Sequence, residues 1–279
     1  MFTFASAKQL RSLVEALGEI LEEMNMDATS DGIYVQSMDP SHVCLVSLAL
    51  PSSDHAMFEK YACQDATCAT LGVNIPNLIR VMKCSGPDDR ALITPEGDIM
   101  SVRFTSTEDA GAARSADFEL KLMLIDTDRM VVPDSSNTVD FRMASSLFSK
   151  AIKDFASLGD SVMFEVQVQE DMLQLTMSCE GSIGRGSMRF KSARSTTSTH
   201  IATLTHVATG YSLKHLVSMT RACCLAEEVT LKFEENMPLC VEFNMTSSGS
   251  VLRYYLAPKL PDEEGGDEGC EAEQQDSNL

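Results

Sequence analysis

Apolar residues fall at helical spacing in four short stretches, and each stretch precedes a pair of strand-like segments around a turn. The first helix is predicted over Ala7–Met24, with Leu10, Leu13, Val14, Leu17, Ile20 and Leu21 on one face. Asp31-Gly32 then signals a hairpin turn, and Ile33–Gln36 and Val43–Leu50 read as strands. Pro76 opens the second helix, whose stripe is Leu78, Ile79, Val81 and Met82, and Ser85-Gly86-Pro87 closes it. Arg90–Thr94 and Met100–Thr105 flank Glu96-Gly97-Asp98. In the third unit Ser145 is the expected N-cap and Leu147, Phe148, Ile152 and Phe155 form the stripe. Gly159-Asp160 ends that helix, and strands Val162–Val168 and Met172–Ser178 flank Glu170-Asp171. The fourth unit runs Leu213–Ala222, Glu228–Glu234, a turn at Glu235-Asn236, and Leu239–Thr246.

Further extended segments are expected at Phe118–Leu124, Ser187–Ser192 and Ile201–Leu204. The mixed stretch Ile125–Asn137 reads as a linker between two halves of similar build, 1–124 and 138–260, with a tail over 261–279. Two strand-rich halves with two helices each imply an α+β fold whose helices share one face of the sheets. Such sheets leave edges open, and the candidates are Phe118, Leu120 and Leu122 at one end and Met188 and Phe190 at the other. Pairing of these edges between copies is head-to-tail, which generates a closed ring when the rotation closes.

Charge sharpens this picture. The chain has a formal charge of -19, yet each helix carries cations at same-face spacing: Lys8 with Arg11, Arg80 with Lys83, Lys150 with Lys153, and Lys214 with Arg221. Four basic faces in an acidic protein suggest one continuous basic surface for a polyanion, most obviously nucleic acid. From Pro261 onward eight carboxylates stand without a Lys or Arg, which leaves -11 for the body and predicts disorder for the tail. Nine cysteines without a Cys-x-x-Cys spacing read as reduced thiols of an intracellular protein. No secretory signal or membrane-length apolar run is evident. The histidines at 42, 55, 200, 206 and 215 lack metal-ligand spacing, and neither a phosphate loop nor a nucleophile elbow is present. These patterns predict no cofactor, no metal and no catalytic activity, against the alternative of a soluble α+β enzyme with free thiols.

Specific words then carry a resemblance. They are Leu-Val-Glu-Ala-Leu at Leu13–Leu17, Gln-Ser-Met-Asp at Gln36–Asp39, Ser-His-Val at Ser41–Val43, Leu-Gly-Val-Asn at Leu71–Asn74 and Met-Lys-Cys-Ser-Gly at Met82–Gly86. Phe-Glu-Leu-Lys-Leu-Met at Phe118–Met123, Leu-Gly-Asp at Leu158–Asp160 and Tyr-Tyr-Leu-Ala-Pro-Lys at Tyr254–Lys259 follow in order. Over 1–260 the chain resembles the proliferating cell nuclear antigen family of eukaryotic DNA sliding clamps. The resemblance implies a nuclear homotrimeric ring around duplex DNA, with Arg11, Arg80, Lys83, Lys150, Lys153, Lys214 and Arg221 facing the channel; Lys8 joins them by helical spacing alone. It implies a groove for PIP-box peptides of DNA polymerase, flap endonuclease, DNA ligase and clamp loader. The matching positions are Met38, His42, Val43 and Leu45, then Met130, Val132 and Pro133, then Pro238, Tyr255, Leu256, Ala257 and Pro258. Where the family carries a ubiquitin-acceptor lysine, this chain has Gln174. The loops 51–70 and 194–209 and the extended tail also depart from the family pattern. A subunit of a heterotrimeric checkpoint clamp is the nearest alternative within the fold.

Overall fold

The computed structural model describes residues 1–63, 69–106, 114–126, 130, 139–169, 172–193, 206–234 and 237–259. The first half runs β1 (Phe2–Phe4), α1 (Ala7–Gly18), β2 (Glu23–Thr29), β3 (Gly32–Met38), β4 (Cys44–Pro51), β5 (Phe58–Tyr61), β6 (Ala69–Asn74), α2 (Ile75–Met82), β7 (Asp89–Glu96), β8 (Ile99–Ser106) and β9 (Ser115–Lys121). The second runs β10 (Val139–Ala144), α3 (Ser145–Ala156), β11 (Ser161–Gln169), β12 (Met172–Gly181), β13 (Gly184–Ala193), β14 (His206–Ser212) and α4 (Leu213–Met219). It continues through a 3-10 turn (Thr220–Cys224), β15 (Glu228–Phe233), β16 (Leu239–Asn244) and β17 (Val251–Leu256).

The strands form three sheets, in the orders β5-β1-β7-β8-β9, β10-β15-β16-β17-β4-β3-β2-β6 and β13-β12-β11-β14. These orders expose an internal repeat. The run β1-β7-β8-β9 of the first half corresponds to β10-β15-β16-β17 of the second, and β4-β3-β2-β6 corresponds to β13-β12-β11-β14. The middle sheet is built from both halves, joined where β17 pairs antiparallel with β4 from Val251↔Ala49 to Leu256↔Cys44. All four helices lie in one layer: α1 packs on α2, α3 on α4, and α1 on the 3-10 turn that follows α4. The two α+β halves and their shared helix face are therefore as the apolar periodicity predicts.

Local chemistry sets the helix ends. The Ser6 hydroxyl accepts from the Gln9 N–H at 3.2 Å and caps α1, which buries Leu10, Leu13, Val14 and Leu17. At Gly18 a Cβ would stand 2.6 Å from Ile79 Cδ1, so glycine lets α2 lie close against the end of α1. The helix stops there, six residues short of the Met24 expected from the spacing. Ile20 and Leu21 are buried within a turn closed on the Leu17 carbonyl, and Met24 and Met26 face the core from β2. Continuous burial across helix, turn and strand had mimicked one helical stripe.

Other boundaries shift for similar reasons. Ala144, not Ser145, is the N-cap of α3; the Ser145 N–H donates to Glu227 O at 2.8 Å, and its buried hydroxyl has no partner among the described residues. Leu213–Ala222 is α4 followed by the tighter 3-10 turn. β9 ends at Lys121, and Met123 makes only an isolated bridge to Gly72. A Cβ at Gly72 would meet Met123 O at 2.0 Å, so that crossing requires glycine. The expected loop 51–70 contains β5, and Ser30 and Asp31 join β2 to β3, which starts at Gly32. The expected strand 201–204 and the turns at 170–171 and 235–236 lie outside the described residues.

Asp54 fastens the halves a second time. It is fully buried and accepts from the Ser250 and Thr246 hydroxyls and from the Ala56 and Met57 N–H groups. Ser250 and Thr246 lie between β16 and β17, while Asp54 follows β4. Asp54→Ala leaves those donors unpaired in the interior and is expected to cost about 3 kcal/mol. Urea denaturation should show a lower midpoint at an unchanged slope; an unaltered midpoint would remove Asp54 from this role.

Candidate nucleic-acid interface and peptide groove

Helix periodicity buries one face of each helix and presents the other. Lys8, Arg80, Lys83, Lys150, Lys153, Lys214 and Arg221 are exposed on this layer, and Arg11 is half-buried. With their C-cap residues, the helices and the 3-10 turn hold eight cations against the three carboxylates Glu15, Glu19 and Asp154. The net charge of this layer is thus +5 in a chain of -19. Glu15 takes Arg11 at 2.9 Å and also pairs with Arg221 across the junction of the halves. Lys150 pairs with Asp154 at 2.7 Å. Among the described residues the other five cations make no ion pair, so they present unneutralised charge to solvent. Lys150, Lys153 and Arg221 converge on a cleft of about 730 Å³ between α3, the 3-10 turn and the end of α1.

The expected groove lies on the opposite face of the middle sheet. In antiparallel strands directly opposed residues share a face, so Met38↔Leu45 and Leu45↔Tyr255 form one row across β3, β4 and β17. Tyr254, one residue earlier, points the other way, is fully buried and reaches Ala16 O of α1 at 3.5 Å. Met38, His42, Leu45 and Met130 line one cavity of about 740 Å³. Val43 is half-buried, and its carbonyl accepts from the Ala257 N–H at 3.0 Å, which holds Ala257 and Pro258 beside the turn. Pro238 is exposed at the entry to β16. Leu256 is fully buried toward the helices, so it offers the groove only its backbone. Val132 and Pro133 lie outside the described residues.

Three positioning residues escaped the sequence reading. Gln36 donates from Nε2 to Met130 O at 2.8 Å and accepts from the Met130 N–H at 3.0 Å, mimicking a strand partner. Asn25 donates to Ile125 O at 2.9 Å. Together they hold Ile125 and Met130 against β2 and β3. Asp39 holds the turn that carries His42, whose φ is +55°. Its carboxylate accepts from the N–H groups of Ser41, Val43 and Cys44 and from the Ser41 hydroxyl. His215 Nε2, from α4, stands 3.4 Å from the same carboxylate, so the groove turn touches the helix layer. Asp-Pro-Ser-His is a turn-forming sequence, and that is the signal from which Asp39 could have been found.

At the two ends, Phe118 and Leu120 on β9, Leu122 just beyond it, and Met188 and Phe190 on β13 are half-buried and pack against the core. Among the described residues each strand has a sheet neighbour on one side only. Gln174 lies on β12 opposite Lys191.

A duplicated α+β unit with one shared helix layer and two open end strands is the fold of a DNA sliding-clamp subunit. A family model for the N-terminal domain of proliferating cell nuclear antigen matches residues 2–130, and one for its C-terminal domain matches residues 131–259. Proliferating cell nuclear antigen from Chaetomium thermophilum (strain DSM 1495 / CBS 144.50 / IMI 039719) is 31% identical over 264 residues, spanning 92% of this chain and 97% of the relative. The chain belongs to the proliferating cell nuclear antigen family.

Burial alone would raise the Asp39 pKa, but its hydrogen bonds outweigh that and hold it at about 2, below an ordinary value of 3.8. The folded value lies below the unfolded one, so the carboxylate stabilises the fold above about pH 4. That contribution, about 2 kcal/mol, is lost as the pH falls through about 2. Asp39→Asn should therefore lower the melting temperature at pH 6 and flatten its fall between pH 4 and 2. An unchanged slope in that window would show that Asp39 is not the group responsible.

Proposed function

We propose that this chain is a homotrimeric sliding clamp of the nucleus, encircling duplex DNA and tethering replication and repair enzymes through its outer groove. The observation that carries the reading is the internal repeat. β17 and β4 join the halves within one chain, and their counterparts β9 and β13 are the strands left open. The same antiparallel joint between copies adds halves head-to-tail and removes both edges. Charge favours that match: on β9 the exposed Asp117 and Glu119 outnumber Lys121, although Asp117 also pairs with Arg103, and β13 exposes Arg185, Arg189 and Lys191. The copy number comes from the family resemblance.

In such a ring the helix layers line the hole. Exposed lysines and arginines meet phosphates through salt-sensitive contacts without reading bases, which holds DNA while permitting movement along it. The groove takes the apolar side chains of a partner peptide, and attachment raises the partner's concentration at the template. Polymerase, flap endonuclease, ligase and an ATP-driven loader are the expected occupants. The chain's role is mechanical, and no reaction is assigned to it.

The purified chain alone should show a native mass three times its 30.5 kDa. Phe118→Asp should reduce it to monomer by placing a charge within the joint. A stable wild-type monomer would instead favour the subunit of a heterotrimeric clamp. Combined Lys83→Glu, Lys153→Glu and Arg221→Glu should preserve the trimer but abolish DNA-dependent polymerase stimulation, and unchanged stimulation would defeat the channel assignment. Tyr255→Ala should weaken a PIP-box peptide by roughly tenfold or more in calorimetry, as loss of a buried aromatic anchor does; full affinity would place the peptide elsewhere.

A further inference from the structure

The floor of the groove belongs to the middle sheet, but its rim is anchored to a helix. Two segments frame it where the halves meet: the turn from Asp39 to Cys44 and the stretch 257–259 that follows β17. They are tied to each other by the Ala257 N–H, which donates to Val43 O at 3.0 Å. Both are also tied to the start of α4. The Lys259 N–H donates to Gly210 O at 2.8 Å, two residues before the Ser212 N-cap of that helix. On the other side His215 Nε2 stands 3.4 Å from Asp39 Oδ2 and 3.4 Å from Ser41 Oγ. A carboxylate only accepts, so the ring nitrogen facing it carries the proton. Nδ1 is then the bare nitrogen of a neutral ring. That agrees with its burial without a partner among the described residues, since an N–H there would have nothing to donate to.

Asp39 Oδ1 takes the Val43 and Cys44 N–H groups, so the carboxylate closes the turn by itself. What the turn lacks within its own residues is a fixed position, and the imidazole supplies it from the other half of the chain. Within and just beyond the turn lie His42, held at φ +55°, and Leu45, both lining the groove. The internal repeat offers a control. α2 corresponds to α4, and its third residue, Asn77, takes the place of His215. The β3–β4 turn corresponds to the β12–β13 turn, which is only Ser182 and Ile183 and has no carboxylate. In the proposed ring α2 of one copy meets that short turn on the next. The joint between copies therefore has neither the histidine nor the acid, whereas the joint within a chain, which carries the groove, has both.

We propose that His215 is a positioning residue of the peptide groove, acting through Asp39 to hold the turn in the shape that receives the partner. This role rests on the peptide-groove reading of the outer face, and it gives a helix of the cationic layer a part in peptide binding. Calorimetry with the full chain and a PIP-box peptide tests it. His215→Leu keeps bulk but loses the N–H, and it should weaken the peptide roughly fivefold, as loss of one modest hydrogen bond does. His215→Gln returns an N–H donor and should restore most of that affinity. In an Asp39→Asn background, where an amide N–H faces the ring, His215→Leu should cost nothing further, because residues acting as one unit are not additive. Undiminished affinity in His215→Leu, no recovery in His215→Gln, or a full further loss beside Asp39→Asn overturns the role. Hydrogen exchange separates it from the groove reading. The Val43 and Cys44 amides should exchange faster in His215→Leu than in the wild type or His215→Gln, with the amides of β16 unchanged. Equal exchange in all three proteins overturns the role without any peptide. A wild type that ignores the peptide while those amides still respond would sink the groove reading and leave the hold of His215 on the turn established.

Discussion

The antiparallel pairing of β17 with β4 is the constraint on which the rest of the structure depends. It fuses two separate halves into one eight-stranded sheet and thereby fixes the relation of everything attached to that sheet. Helices on one side fall into a single row because the strands beneath them belong to a single sheet. On the other side Leu45 and Tyr255, from different halves, come opposite each other and give the groove its floor. The turn held by Asp39 and the buried Asp54 contacts reinforce the junction from its two ends. Neither half alone contains the groove or the full cationic layer.

Electrostatics divides the molecule by side. The net charge is strongly negative, and a protein of that kind would repel a polyanion approaching at random. Its helices form the exception. Three of their cations are partly neutralised within the layer, by Glu15 and Asp154, so those positions are held in place as well as charged. Among the described residues the remainder make no ion pair; in the proposed clamp that would suit brief contacts with successive phosphates better than fixed ones. Acidity elsewhere discourages binding on the outer surface, and this asymmetry needs only the distribution of a few lysines and arginines.

Much of the architecture was legible because burial follows periodicity. Phe148, Ile152 and Phe155 repeat at helical spacing and are all buried in α3, and the hairpins β2-β3 and β7-β8 follow from the turn signals at Asp31-Gly32 and Glu96-Gly97-Asp98. The cationic pairs were legible for the same reason, since same-face spacing survives translation into a helix. Failures arose where burial outlasted the element: Ile20 and Leu21 belong to the core but not to α1, and Ser145 has a capping residue's chemistry without its position. The groove was visible only through quoted words shared with a family. Its supports, Gln36 and Asn25, act through contacts about a hundred residues away in sequence, and no local pattern reports those. The joint of β17 with β4 is non-local in the same way.

Tyr254 and Tyr255 show what such a construction forbids. One ring belongs to the interior beneath α1 and its neighbour to the opposite, outer face of the sheet, and alternation along β17 alone decides which is which. Inserting or deleting a single residue in that strand would turn every side chain to the wrong side, emptying the interior and burying the floor in one event. Evolution can therefore exchange residues in this strand but cannot change its length. Variation in length must be confined to the connecting loops, and lineages of this protein should diverge there while the strand keeps its count.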